Sequence, residues 1–302
     1  MKLDDKKILV TGPTGQVALP LTLSLAASND VWGVARFSDA AAREQLEAAG
    51  VTCVAADLAT TDFSDLPEDF DYVLNLAVLK GTNDDWDRDL AGNAESIALL
   101  MARTTPRAFL HCSSTAVYEH QGPKHELRET DPLGDNHRVM FPTYSLAKIA
   151  AEVVARAAAR EHGVPTTIAR LNVPYGDNGG WPYYHLLYLQ GGAPVPLHPE
   201  RPNLFNPIHE DDIARQVPAL LEAASVPATI VNWGGEPASI EEWVAYIGEL
   251  TGLEPTFEET DATIGSVTID RTRMHELVGP TEVPWRDGIK RMLEARAPEA
   301  LR

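Results

Sequence analysis

Cysteine is nearly absent: Cys53 and Cys112 are the two in 302 residues. Each lies in an apolar, strand-like run ("GVTCVAAD", "FLHCSS") where a small buried thiol is expected, so a disulfide scaffold is not indicated and a reducing cytoplasm fits best. Basic side chains are scarce as well. Twenty-five of them against 44 acids give a formal net charge of -19, which repels phosphate backbones and anionic lipid surfaces. Neither nucleic acid nor a membrane is expected as a partner. No stretch approaches the roughly 20 apolar residues of a membrane span. The opening "MKLDDKKILV" has no apolar core of a signal peptide, so a cytoplasmic location is expected. The nine histidines show no HExxH and no Cys/His ligand spacing, and no metal site is expected.

What is present reads as an ordinary globular chain, 44% apolar and 23% charged. Short β-branched or apolar runs ("KILVTG", "DVWGVAR", "VTCVAAD", "DYVLNLA", "RAFLHCSS", "PTTIARLN") alternate with segments carrying apolar residues at helical spacing, such as "NAESIALLMARTT" and "SLAKIAAEVVARAAAREHG". That rhythm predicts an α/β fold, a doubly wound parallel sheet of the Rossmann type. After about Pro174 the texture turns aromatic and Pro/Gly-rich, then resumes with a helix, the strand "TIVNW" and the helix "SIEEWVAYIGELTG". The expected organisation is a dinucleotide-binding domain over 1–173 and a smaller C-terminal substrate lobe over 174–302, with parts of 206–235 returning to the first domain.

Three stretches carry chemistry. In "ILVTGPTGQVA" a strand ends at Thr11, Gly12 allows a tight turn, Gly15 lets backbone N–H groups approach a pyrophosphate, and Ala18 is small enough for close helix–strand packing. The second strand ends in Arg36, where NAD enzymes of this fold place an acid for the ribose 2′-OH. A guanidinium suits a 2′-phosphate instead, with Ser38 and Arg43 as helpers, so NADP is expected to be preferred; Asp39 keeps NAD open. In "TYSLAK", Tyr144 and Lys148 share a helix face one turn apart. A free phenol titrates near ~10, too high for efficient proton exchange at neutral pH, and the Lys148 ammonium is expected to favour the phenolate.

In order and spacing these motifs resemble the extended short-chain dehydrogenase/reductases, the NAD-dependent epimerase/dehydratase family, nearly end to end. "TGPTGQVA" is similar to TGxxGxxG, "SSTAVYE" to SSxxVYG, "YSLAK" to YxxxK, "RLNVPYG" to RxxNVYG and "NPIHEDDIA" to FxHVxDxA. The resemblance implies catalysis by Ser114, Tyr144 and Lys148: Tyr144 as general acid/base, Ser114 hydrogen-bonding the substrate oxygen, and Lys148 also holding the nicotinamide ribose. It implies cofactor contacts from Gly12, Thr14, Gly15, Gln16 and Val17, from Asp57 and Leu58 beside the adenine, and from Leu76, Ala77 and Lys80 near the phosphates. Asn93, Tyr144, Lys148 and Leu171 complete that set, and Thr115, Asn172, Trp181 and Phe205 are candidate substrate contacts. Homodimers through the helices around Asn93–Arg103 and Ser145–Arg160 are a family expectation.

The substrate is expected to be a small, non-nucleotide carbonyl or secondary alcohol. Nucleotide-sugar relatives carry an arginine for the substrate diphosphate where this chain has Phe205. A nucleotide-sugar epimerase or dehydratase is the alternative, with Arg201, Arg271, Arg273 and Asn172 as substitute contacts. A cofactor-sensing protein without turnover is the third reading, and it has no use for an activated phenol. Trp181, Tyr183, Tyr184 and Tyr188 either wall an apolar pocket or form plain core, and His209 is read as a satisfied interior histidine. The polar connection from Glu119 to Phe141 is either a lid or a solvated link, with "RETDP" favouring an ordered path.

Overall fold

A computed structural model describes residues 3–60, 62–79 and 85–302. Seven strands, β1 (Lys7–Thr11), β2 (Asp30–Ala35), β3 (Thr52–Ala55), β4 (Tyr72–Asn75), β5 (Ala108–Ser114), β6 (Thr166–Leu171) and β7 (Thr229–Trp233), form one parallel sheet in the order β7, β6, β5, β4, β1, β2, β3. The first six are the six runs read from the sequence, and "TIVNW" supplies β7 beside β6. From β1 the chain winds outward through β2 and β3, then returns to β4 on the other side. That reversal opens a crevice at the carboxyl ends of β1 and β4, where Thr11 and Asn75 are paired.

The helices are α1 (Ala18–Ala26), α2 (Ala40–Ala48), α3 (Trp86–Leu90), α4 (Ser96–Thr104), α5 (Tyr144–His162), α6 (Trp181–Gln190), α7 (Glu210–Glu222), α8 (Ile240–Thr251), α9 (Thr272–Val278) and α10 (Trp285–Arg296). Strand alternation divides the sheet's side chains between two cores. Ile8, Val10, Leu74 and Leu110 pack with Leu21 of α1 and Val217 of α7 on one face. Leu9, Val73 and Phe109 pack with Ile97 of α4 and Ala151 and Ala155 of α5 on the other. The alanine run of α5 lets that helix lie close to the strands, and Gly163, at φ +65°, ends it in the left-handed conformation.

A third core joins α6, α8 and α10 through Leu186, Trp243, Ile247, Ile289 and Phe205. Ser239 and Glu242 close a reciprocal capping box at the start of α8. Within the connection from Glu119 to Phe141, Glu126–Leu127 pairs with Thr268–Ile269, and the Glu129 carbonyl accepts from Arg170 at 3.2 Å. This path is tied down along its length, as "RETDP" suggested.

Candidate active site

The glycine turn after β1 is held by polar side chains that bind backbone. Thr11 Oγ1 donates to Asn75 Oδ1 at 2.7 Å and accepts from the N–H groups of Leu76 and Ala77 at 3.1 and 3.0 Å. Gly12 sits at φ +63°, and a Cβ there would stand 2.9 Å from the Ala77 backbone, so the tight turn requires glycine. No side chain caps α1 and no acid occupies its first turn. The positive end of the helix is therefore uncompensated by side chains, as an anion would require. Thr14 is half-buried beside this turn, Gly15 and Gln16 are exposed, and Val17 is partly buried. The Gln16 side-chain amide donates to the Pro174 carbonyl at 3.0 Å, while the Gln16 main-chain carbonyl accepts from Asn178 at 2.6 Å, which fastens the turn to the lobe.

At the far end of the crevice, Asp57 Oδ2 accepts from Arg88 at 2.6 Å and Oδ1 from the Ala59 N–H at 3.1 Å. Burial alone would raise this carboxyl; the bonds to Arg88 and Ala59 and the charges of Arg88 and Arg36 together hold it below the usual range. Arg36 is exposed at the end of β2. Of its expected neighbours, Asp39 caps α2 by accepting from the Ala42 N–H, and Arg43 pairs with Glu47 at 2.8 Å. Leu58 and Leu76 are buried and Ala77 is half-buried. Asn93 lies in a π turn (Ala91–Glu95), where it accepts from the Leu79 N–H and donates to the carbonyls of Leu79 and Asp89, all within 2.9 Å. It thereby shapes the segment after β4. Lys80 falls outside the described residues.

Ser114 ends β5 and Tyr144 begins α5, and their side chains are hydrogen-bonded. Burial pushes the Tyr144 phenol up to about 12, and the Ser114 bond only partly opposes it. The lowered phenol expected from the Tyr144–Lys148 spacing is thus not what the fold produces. Its cause is desolvation, while the Lys148 ammonium, itself buried, donates to the Cys112 carbonyl at 2.8 Å. The rings of His137 and Phe141 lie 5.9 and 6.1 Å from that of Tyr144.

Sequence reasoning missed the supports behind these residues. Thr143 stands at the N-cap position of α5 but makes no side-chain cap; its hydroxyl donates to the buried Asp89 at 2.5 Å. Ser113 donates to Glu152 at 2.6 Å, and Glu152 forms a two-point, fully buried pair with Arg170 at 2.9 and 2.7 Å. Glu152 follows Lys148 by one further turn of α5, a spacing that was visible in the sequence. His111 accepts from Asn75 Nδ2 at 3.0 Å, and burial with the nearby Lys148 charge holds its pKa well below the ordinary value.

In the lobe, Asn172 donates to the Val267 carbonyl and accepts from the Asn206 N–H, which joins β6 to the lobe just after the buried Leu171. Thr115 is buried, and its carbonyl accepts from Asn136 at 3.2 Å. Phe205 is buried edge-on against Trp181, centroids 4.8 Å apart, within an aromatic stack that includes Trp243. Tyr183 lies under Arg296, whereas Tyr184 and Tyr188 are exposed on the outer face of α6. These four aromatic residues do not converge on one wall. His209 accepts from the Asp211 N–H through Nδ1, but its buried Nε2 has no hydrogen-bond partner, so it is satisfied on one side. Arg201 pairs with Glu259, Arg271 with Glu236, and Arg273 donates to the Ile230 carbonyl.

Among the described residues no cluster of three His, Cys, Asp or Glu side chains could hold a metal ion, and no helix is long and apolar enough to cross a membrane. The residues present do fit a dinucleotide. A turn that requires glycine and an uncapped helix N-terminus suit the pyrophosphate, and Ser114, Tyr144 and Lys148 converge at the carboxyl edge of the same sheet.

A family model described as the NAD dependent epimerase/dehydratase family matches residues 8–234. Among curated proteins, a trifunctional UDP-glucose 4,6-dehydratase/UDP-4-keto-6-deoxy-D-glucose 3,5-epimerase/UDP-4-keto-L-rhamnose-reductase of Arabidopsis thaliana is 25% identical over 206 residues. That match covers 62% of this chain and 29% of the plant protein, so the chain spans under a third of that relative's length. Among solved structures, UDP-glucuronic acid 4-epimerase of Bacillus cereus, in complex with UDP-glucuronic acid and NAD, superposes with TM-score 0.82 at 20% identity, covering 96% of this chain and 98% of the other. UDP-N-acetylglucosamine 4-epimerase of Methanobrevibacter ruminantium, in complex with UDP-N-acetylmuramic acid, gives TM-score 0.82 at 17% identity over 98% and 99%. At these identities the likeness establishes the fold.

Proposed function

The chain belongs to the NAD dependent epimerase/dehydratase family, and from that premise we propose that it oxidises a secondary hydroxyl of a nucleotide-linked sugar and completes the cycle by returning the hydride, either directly to the ketone or after an intervening loss of water. The observation that carries the chemistry is the Ser114–Tyr144 hydrogen bond at the sheet edge, with Lys148 one helical turn on. The nicotinamide, when bound, supplies the acceptor and donor of hydride. Gly12, Gly15 and the start of α1 are suited to its pyrophosphate, and Arg36 supports a 2′-phosphate and hence NADP, whereas the neighbour from Bacillus cereus was solved with NAD. Ser114 orients the substrate oxygen. Tyr144, at about 12, stands protonated at neutral pH and is set to give its proton to a carbonyl oxygen. Taking a proton from a hydroxyl requires the phenol to come down, and Lys148 is the ammonium on the same helix face that would stabilise the phenolate.

The substrate class rests on the relatives. A second reading, net reduction of a small non-nucleotide carbonyl, is favoured by Phe205: its buried ring stands where a diphosphate arginine was sought, and Arg201, Arg271 and Arg273 are engaged elsewhere. Incubation with either nicotinamide cofactor and a panel of UDP-sugars and simple carbonyls, followed by absorbance and product chromatography, separates the two. Conversion of a UDP-sugar without net absorbance change supports the first; stoichiometric cofactor oxidation by a simple carbonyl supports the second. The same proposal assigns 1–173 to cofactor and most of 174–302 to substrate, and places the protein in the cytoplasm. It includes a homodimer through α4 and α5, whose outer faces expose Leu99, Leu146 and Val153.

A further inference from the structure

Residues 174–180 form a tight hairpin, Pro174–Gly176 against Gly179–Gly180, between the lobe and the glycine turn. One side of it holds Gln16. The side-chain amide of Gln16 donates to the Pro174 carbonyl at 3.0 Å, with a longer contact to the Gly179 carbonyl at 3.4 Å, and Asn178 at the hairpin tip donates to the Gln16 main-chain carbonyl at 2.6 Å. Gly180 sits at φ +126°, and a Cβ there would stand 2.9 Å from Gln16 Nε2, so the contact requires glycine. Gln16 thus commits its amide to the lobe, although it follows Gly15 in the turn suited to a pyrophosphate.

The other side of the hairpin is held by charge. Arg291 of α10 stands 3.4 Å from Asp177 at the tip and 2.7 Å from Asp211 of α7. Glu210 accepts from the Asp177 N–H, and its carboxylate lies so close to Gly176 that a Cβ there would overlap it. Three carboxylates, Asp177, Glu210 and Asp211, therefore converge on one guanidinium. Burial pushes Glu210 up to about 6; the charges of Asp177 and Asp211 add to this, while the Asp177 N–H and Arg291 oppose it. Behind them lie His209, held below its ordinary value by burial and the Arg291 charge, and Tyr175, whose phenol burial raises, with Asp287 of α10 nearby. Asp212 is taken by Arg215 at 2.7 Å.

We propose that Arg291 is a positioning residue for the dinucleotide: it holds the hairpin tip among those carboxylates, the tip holds Gln16, and Gln16 fixes the turn that receives the pyrophosphate. A side chain on α10 thereby sets cofactor affinity. Without Arg291 the carboxylates repel one another, the tip moves off, and Asn178 releases the turn. The proposal rests on the glycine turn being the dinucleotide site, and one arm of its test reads the turn without any cofactor.

Calorimetric titration with NADH and with NADPH compares the parent with Arg291→Gln, Arg291→Lys, Asn178→Ala and the Arg291→Gln/Asn178→Ala pair, while amide hydrogen exchange follows residues 14–19 in the cofactor-free chains. Lys290→Gln is the control. It removes the same charge one residue away, where Lys290 faces Glu294 at 3.8 Å. Arg291→Gln and Asn178→Ala should each weaken cofactor binding about tenfold and speed exchange at the turn, the pair should be little worse than either alone, and Arg291→Lys should recover most of the affinity. Lys290→Gln should move neither readout, and urea midpoints should stay near the parent's. The Arg291→Gln loss should shrink from about pH 8 to about pH 5.5, because protonation of Glu210 or of His209 relieves the repulsion. Should the parent bind neither cofactor, the reading of the turn fails alone, and faster exchange in both single variants still supports the clasp. Unchanged exchange in that case would overturn the proposal. Where the parent binds, so would unchanged affinity in Arg291→Gln, a loss constant with pH, losses that add in full, or an equal loss in Lys290→Gln.

Discussion

The carboxyl edge of the sheet and the lobe behind α6 both bury polar side chains, but they use them differently. At the sheet edge, Thr11, Asn75 and Asn93 tie separate backbone segments around a crevice, and Asp89 and Glu152 brace the residues next to Tyr144 and Ser114. In the lobe, His185 accepts from Trp243 Nε1 at 2.7 Å inside a stack of Trp181, Phe205 and Trp243. The first arrangement fixes main chain for a ligand; the second fills a core. The comparison implies that damage at the sheet edge shows first in chemistry, and damage in the lobe first in stability.

Tyr144→Phe is the strongest test of that division. It deletes the phenolic proton but keeps the ring contacts with His137 and Phe141. Turnover should fall about 10²- to 10⁴-fold, the usual worth of a general acid/base. Cofactor affinity and the urea midpoint should stay near the parent values. Near-normal turnover across pH would break the comparison at its catalytic end.

Glu152→Ala probes the exception, a sheet-edge residue with a structural burden. It leaves Arg170 buried without its partner and should cost about 3–5 kcal/mol in urea unfolding. Ser239→Ala, which opens the capping box of α8 in the lobe, should cost about 1 kcal/mol. Equal losses would mean that the Glu152–Arg170 pair is relieved by water or by repacking.

A pH series sharpens the lobe's side. Burial pulls His185 down to about 3, so the folded chain keeps it neutral while the unfolded chain protonates it near 6.5. Between those values the unfolded state binds the extra proton. The stability due to this group is therefore complete above about pH 6.5 and is lost as pH falls toward 3, by up to ~1.4 kcal/mol per pH unit. His111, held low in the sheet, adds loss of the same sign. His185→Gln should flatten the lobe's share of the slope in urea midpoints from pH 7 to 4 and leave the share due to His111; an unchanged slope would remove His185 from this account.

The strands and the glycine turn were legible because their causes are local: alternation within β1 to β6, and a turn whose φ at Gly12 excludes a Cβ. Tyr144 and Ser114 were legible through motif order. The brace behind Tyr144 was not, since Asp89 meets Thr143 across 54 residues, nor was the pair at the far end of the crevice, where Arg88 meets Asp57 across 31; neither spacing has a sequence signature. Phe205 was read as the loss of an arginine. That it would join an aromatic stack depended on Trp181 and Trp243 arriving from α6 and α8. The raised phenol escaped for a related reason: helical spacing places Lys148 but says nothing of burial, and burial decides the direction of the shift.

The smallest effect concerns the adenosine end, where the sheet edge meets solvent. Asp39, the acid nearest the end of β2 in sequence, caps α2, and Arg43 and Arg88 are paired with Glu47 and Asp57. Arg36 is then the exposed guanidinium through which the proposed preference for a 2′-phosphate would act. A charge-assisted bond of this kind contributes about 1.5–3 kcal/mol, less where solvent screens it. Arg36→Ala should accordingly weaken NADPH by roughly tenfold, at the low end of that range, and change NADH little. Tryptophan fluorescence titrations with both cofactors measure this directly. Tighter NADH binding by the parent chain would place this protein with its NAD-bound structural neighbours and leave Arg36 as a group that serves, through its charge, to hold the Asp57 carboxyl ionised.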